Sequence, residues 1–182
     1  DRSIEQARLM RLLEAFGFVL HGQKRNPYGD ELVYARDMDP FFDRAAPNLT
    51  FPYLSLSTRA FLVPIYPEYH TELLPDSILN TESPNDFVEH EPHRHAIRKV
   101  YVSRSVYRDL ICGDIIVFYR TGGYHKSVVT TMGIVERVHL DINSEDHFIR
   151  LCRNRSVFSD DGLRREWRYR ANSRPFIVDF LY

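Results

Sequence analysis

Along the N-terminal stretch, apolar positions keep first a helical and then a strand period. Ile4, Ala7, Leu9, Met10, Leu12, Leu13 and Phe16 recur at helical spacing with charges between them, which predicts an amphipathic helix over 4–16. Ser3 and Gln6 fit an N-terminal capping box, and Gly17 supplies a stop. Phe18 to Leu20 opens a strand, 26–30 (Asn-Pro-Tyr-Gly-Asp) reads as a turn, and Glu31 to Arg36 returns as a second strand. This first unit ends at 38. Residues 39–58 lack periodicity and carry Pro40, Pro47 and Pro52, so they read as a linker with aromatic anchors at Phe41, Phe42, Phe51 and Tyr53.

The second unit, 59–182, is built from short strands. Phe61 to Tyr66 contains Pro64, which predicts an edge or a bulge. Val100 to Ser103 is a strand, Val106 to Leu110 a short helical turn, and Ile115 to Arg120 a nearly continuous apolar strand. A glycine loop at Gly122-Gly123 precedes a long strand, 127–140, with Gly133 where it would bend. Helices are expected at 144–153 and 161–168, and a closing strand at 175–182. Short strands, glycine turns and a few helices predict an α+β unit organised as a small mixed β-barrel.

The chain has 182 residues, 24 Lys+Arg and 25 Asp+Glu, so its formal charge of −1 excludes a uniformly basic coat protein and an acidic disordered tail. Neither a membrane-length apolar run nor a secretory leader is visible, and Cys112 and Cys152 are too few and too far apart for a disulfide scaffold. They read as buried thiols of a cytoplasmic protein. The chain opens on Asp1 rather than Met and so reads as a piece of a longer protein.

Charge is unevenly placed. Residues 68–91 carry seven acids and no Lys or Arg, while 150–174 carry eight Arg against three acids. Of the 24 basic residues, 21 are Arg, the side chain best suited to phosphate and to stacking on bases. Arg164, Arg165 and Arg168 are candidates for a phosphate-tracking face. The alternative is that acidic and basic segments pair within the molecule or between copies.

The first unit resembles the C-terminal end of a GNAT-family N-acetyltransferase domain, on Leu12-Leu13-Glu14-Ala15-Phe16-Gly17-Phe18, Gly22 and the run Glu31 to Met38. No two glycines here are separated by one residue, so the pyrophosphate loop of that family is missing. The resemblance therefore implies a helix–strand–strand remnant that does not acetylate by itself. It implies acetyl-CoA as cofactor only of an upstream domain, the parent being an acetyl-CoA-dependent acetyltransferase. Such a remnant would expose one face, to be covered by the rest of the chain or by a second copy in a homodimer.

The second unit resembles the PUA-like superfamily, particularly its EVE and ASCH branches. The likeness rests on Val100-Tyr101-Val102-Ser103-Arg104-Ser105, then Leu110-Ile111-Cys112-Gly113-Asp114-Ile115-Ile116-Val117-Phe118-Tyr119-Arg120-Thr121, then Gly133-Ile134-Val135-Glu136. It covers about two-thirds of the chain and departs from the pattern at an acidic, proline-bearing insertion over 68–93. The resemblance implies a non-catalytic barrel that binds RNA or a modified base, with two neighbouring segments lining its pocket: Tyr101, Ser103 and Arg104, and Tyr119, Arg120 and Thr121. Such residues suit a base, which needs a stacking face and edge donors. Lys126, in the glycine loop beside Thr121, adds a cation for a phosphate. The competing expectation is the regulatory or substrate-binding half of an acetyltransferase that acts on a protein or small amine.

The remaining chemistry is thin. His90, His93 and His95 cluster, but Pro92 interrupts them and no fourth ligand is evident, so the segment reads as a solvated loop rather than a metal site. Asp114 reads as a turn-closing residue and Glu136 as a strand-edge carboxylate. No nucleophile elbow surrounds Ser103 or Ser105.

Overall fold

The computed structural model describes residues 2–38, 41–77, 92–122 and 127–182. It divides into two compact units, Asp1–Leu56 and Ser57–Tyr182. In the first, α1 (Arg2–Ala15) is followed by a hairpin of β1 (Val19–Asn26) and β2 (Gly29–Ala35), and then by the single turn α2 (Pro47–Thr50). Because α1 starts at Arg2, Ser3 lies inside the first turn and not at the cap. The helix stops at Gly17, whose φ of 78° lets the Phe18 N–H reach back to the Leu13 carbonyl at 3.0 Å. Of the anchors expected of the 39–58 segment, Phe51 and Tyr53 engage the unit, whereas Phe41 is exposed. Phe51 meets Phe16 edge-on at 6.2 Å, and the Tyr53 hydroxyl donates to the Met38 carbonyl at 2.5 Å. Phe16 is the unit's one buried large apolar side chain among the described residues, whereas Ile4, Leu9, Leu12, Val19, Leu20 and Leu32 are exposed.

The second unit contains β3 (Ala60–Ile65), α3 (Pro67–Leu73), β4 (Arg98–Ser103), β5 (Ile115–Arg120), β6 (Val129–His139), α4 (Glu145–Cys152), α5 (Asp160–Arg168) and β7 (Phe176–Leu181). The strands form one sheet in the order β3-β5-β6-β7-β4, parallel between β3 and β5 and antiparallel elsewhere. Sequence reading missed α3, which starts with Pro67 at its first position, where a missing N–H does no harm. The helical turn expected over 106–110 is absent; Ser103 and Ser105 each take a backbone N–H two residues on, which competes with a helix.

The α+β class holds, but the expected barrel does not close. β3 and β4 are the two edges of the sheet, and no ladder joins them. Pro64 has no N–H to offer across the gap, and the Val100 N–H of β4 is bonded to the Arg155 carbonyl at 3.0 Å. Among the described residues one side-chain bond joins the two edge strands, from the Tyr101 hydroxyl to the Pro64 carbonyl at 3.2 Å.

Two apolar clusters hold this sheet. Ile65, Ile116, Phe118, Val135, Phe176, Val178 and Phe180 fill its inner face. On the outer face, Val100 and Ile177 pack against Phe148, Cys152, Leu163 and Trp167 of α4 and α5. Both helices start on serine caps: Ser144 accepts the His147 N–H and Ser159 the Gly162 N–H. Asp114, fully buried, closes its turn by accepting the Ile111 N–H at 2.9 Å and is held by Arg59 at 2.5 Å.

Lys99 is 2% exposed on the inner face of β4, with its ammonium on the Arg94 carbonyl and over the Tyr182 ring. Burial lowers its pKa to about 8, with Asp76 opposing the shift and Arg94 adding to it.

Two outcomes follow. A Cβ on Gly133 would lie 2.6 Å from the Phe180 ring and 3.1 Å from the Leu181 carbonyl, so Gly133→Ala should destabilise the second unit by about 1–3 kcal/mol in denaturant unfolding. Between about pH 8 and 10.5 the unfolded lysine holds a proton that folded Lys99 has lost, so this residue makes stability rise with pH across that window. Comparing melting curves of the protein and of Lys99→Met at pH 7.5 and pH 10 should show that the substitution removes this rise.

Candidate functional site

Where the sheet fails to close, β3 and β4 diverge from the Tyr101–Pro64 contact and leave a cleft of about 700 Å³. That volume lies within the usual range for ligand sites, about 300–1,000 Å³. Phe61, Leu62 and Val63 form one wall, and Tyr101, Ser103 and Arg104 the other. Ile116, Phe176 and Val178 make the floor, and the 104–110 loop adds Ser105, Tyr107 and Leu110. The floor is apolar because it is the inner face of the sheet. The rim is apolar too: Leu62 is 69% and Tyr107 73% exposed. Among the described residues, none that lines the cleft is an acid, His, Cys or Lys.

The polar groups of the cleft differ in what they have left to give. Burial pushes the Tyr101 phenol up to about 12, with a smaller contribution from Tyr119, so Tyr101 remains a neutral donor and its hydroxyl is bonded to Pro64. Arg104 is held by the Glu166 carboxylate at 3.2 Å, the Ser173 carbonyl at 2.9 Å and the Glu166 carbonyl. Its guanidinium also lies 5.3 Å from the Tyr169 ring centroid. Tyr169 lines a second, shallow hollow with Asp161, Arg164, Arg165 and Arg168 of α5. Arg104 and Tyr169 thus connect the apolar cleft to the arginine surface.

Of the ten residues expected at a site, the structure gathers Tyr101, Ser103 and Arg104 in the cleft and Arg164, Arg165 and Arg168 in the adjoining hollow. Tyr119, Arg120 and Thr121 line neither, although Tyr119 is near enough to act on the Tyr101 phenol. Tyr119 and Arg120 lie on β5 and Thr121 just after it, and β5 neighbours β3 and β6 and not β4. Tyr119 is half-buried, Arg120 is 6% exposed inside the unit, and Thr121 bonds the Ile65 carbonyl through its N–H and its hydroxyl. Truncating Arg120 would therefore report on packing, not on ligand contact. Lys126 lies outside the described residues, as do the side chains of His90 and His93.

Among the described residues, Arg153, Arg155, Arg164 and Arg168 of the arginine-rich segment make ion pairs. Arg168 makes two bonds to Glu145, at 2.7 and 2.8 Å, which hold that carboxyl below the usual range. Arg164 pairs with Asp161 at 2.6 Å, and Arg153 with Asp160 at 2.5 Å. Arg165 is exposed, and no ion pair engages it among the described residues.

Sequence reading missed Phe61, Leu62, Tyr107 and Phe176 as cleft residues. One signal was present: Ala60 to Val63 is an uncharged apolar strand next to a proline, where an edge is normally protected by charge. Compared with protein-family models, curated proteins and solved structures, the chain matches none.

Proposed function

We propose that the second unit is a non-catalytic nucleic-acid recognition module. It takes one unstacked base of a single-stranded RNA into the cleft between β3 and β4 and lays the adjoining backbone over the arginine hollow of α5. The observation that carries this reading is the Arg104–Tyr169 contact, which sets an apolar, aromatic-walled slot beside a cationic surface. A base needs the first and its phosphates the second. The absence of acid, His, Cys or Lys from the described lining fits binding without chemistry. In this reading the module positions RNA, or a modified base, for an acetyl-CoA-dependent N-acetyltransferase of PUA-like and GNAT-like organisation.

A second reading draws on the first unit. Its exposed Ile4, Leu9, Leu12, Leu20 and Leu32 are more apolar surface than a self-sufficient hairpin and helix present. That favours a piece of a larger fold, such as an acetyltransferase whose regulatory or substrate-binding half is this chain.

Fluorescence anisotropy with labelled single-stranded RNA separates the two. With about three phosphates neutralised, affinity should fall roughly 20-fold between 50 and 200 mM salt, since each contact contributes about −0.7 to the log–log slope on single strands. Arg165→Ala should make that slope shallower by about 0.7. No binding at low salt, or binding that ignores salt, would remove the first reading and leave the second.

A further inference from the structure

At the Tyr101–Pro64 contact the cleft adjoins a second pocket, of about 230 Å³, and Pro64, Tyr101 and Arg104 line both. The end of β3, α3 and the 156–158 loop enclose it and bring Tyr66, Tyr69 and Phe158 to its wall. The Tyr66 and Tyr69 rings stand 6.5 Å apart at 71°, and those of Tyr69 and Phe158 5.2 Å apart at 56°. Tyr66 is 60% exposed and Tyr69 38%, so neither ring is spent on the core. A flat ring laid on one of these faces meets the next ring edge-on, and both arrangements are ones that aromatic pairs prefer.

Size, charge and spacing narrow the occupant. The volume is below that of a whole-ligand site, about 300–1,000 Å³, and suits one ring system without its sugar. Aromatic walls also suit an ammonium ion, but the surroundings oppose one. The pocket's own charges, Arg104 and Glu166, are paired at 3.2 Å. The small hollow beyond shares Leu73, Ser156 and Val157 with it and carries Arg94, Lys99 and Arg155 against Glu72. A neutral ring joined to an anionic backbone fits that field, and a free cation does not. The cleft takes residues 60–64 of the β3 side and the pocket 64–66, so their middles, Leu62 and Ile65, lie about 10 Å apart along the chain. Stacked nucleotides rise only about 3.4 Å, so the two openings suit neighbouring bases that are splayed apart, the state in which proteins read single-stranded RNA.

Resting on the proposal that the cleft takes a base, we infer that this pocket takes the base of the adjoining nucleotide. The Tyr101–Pro64 contact is then a bar between the two bases, and the unit reads two consecutive unpaired nucleotides rather than one. Tyr66 and Tyr69 hold the second base by stacking, which tolerates any sequence because every base has a π-face. The strand must be single, since bases held in a duplex cannot part around the bar.

The test is fluorescence anisotropy with the full chain and RNA strands that are abasic except for one uridine, for two adjacent uridines, or for none. The two-uridine strand should bind about tenfold more tightly than the one-uridine strand, which in turn exceeds the fully abasic one. Tyr66→Ala and Tyr69→Ala should each cut the affinity of the two-uridine strand about fivefold or more. Both should leave the one-uridine strand, seated in the cleft, unchanged. Tyr66 is exposed and starts α3 without a side-chain cap bond, so its variant keeps the test alive if Tyr69→Ala melts early. A gain from the second uridine no larger than the statistical advantage of offering one cleft two bases would overturn the second subsite and leave the base-binding reading standing. A full gain that survives both substitutions would overturn it too. Equal affinity for all three strands would overturn both readings.

Discussion

A sheet whose ends cannot pair determines everything that matters in the second unit. β3 and β4 meet at one point, where the Tyr101 hydroxyl reaches the Pro64 carbonyl. Pro64 removes a donor from one edge, and the Arg155 carbonyl occupies a donor of the other. Had the two strands formed a ladder, side chains would have filled the interior as they do in small closed barrels. Instead the inner face stays partly open between them, and Phe176 and Val178 become the floor of a cleft.

That opening is framed by packing on both sides. α4 and α5 press on β7 and β4 through Phe148, Leu163 and Trp167, with the Phe148 and Trp167 rings 5.3 Å apart. On the other side, Arg59 ties the start of β3 to the buried Asp114 of the turn before β5. Gly133 lets β6 run tight against Phe180 and Leu181. A rigid frame around an unclosed seam suits a binding site better than a mobile one, because less ordering is lost when a ligand enters.

Most of the scaffold was legible from residue pattern, and the reasons are local. The apolar run from Ile115 to Phe118 and the proline in β3 each announce one element with little help from the rest of the chain. What was not legible depends on distant partners. Closure of the barrel turns on where the Arg155 carbonyl falls, 55 positions from Val100 in the chain. Tyr101, Ser103 and Arg104 were reached through the resemblance to PUA-like domains, which offered Tyr119 and Arg120 equally. Only strand order separates them, since β5 lies at the far side of β3 from the seam. The arginine segment has the same dependence on distant or unsignalled partners: among the described residues Glu145, Asp160, Asp161 and Asp179 pair with its arginines.

The central claim is that the β3–β4 seam is where the ligand enters. Backbone amide NMR of the isotopically labelled chain, titrated with a short single-stranded RNA, tests it most directly. The account predicts the largest shift changes at 60–63 and 101–107, with smaller ones along α5 and none at Tyr119 or Thr121. Changes confined to α5, or centred on the first unit, with the seam silent, would contradict it.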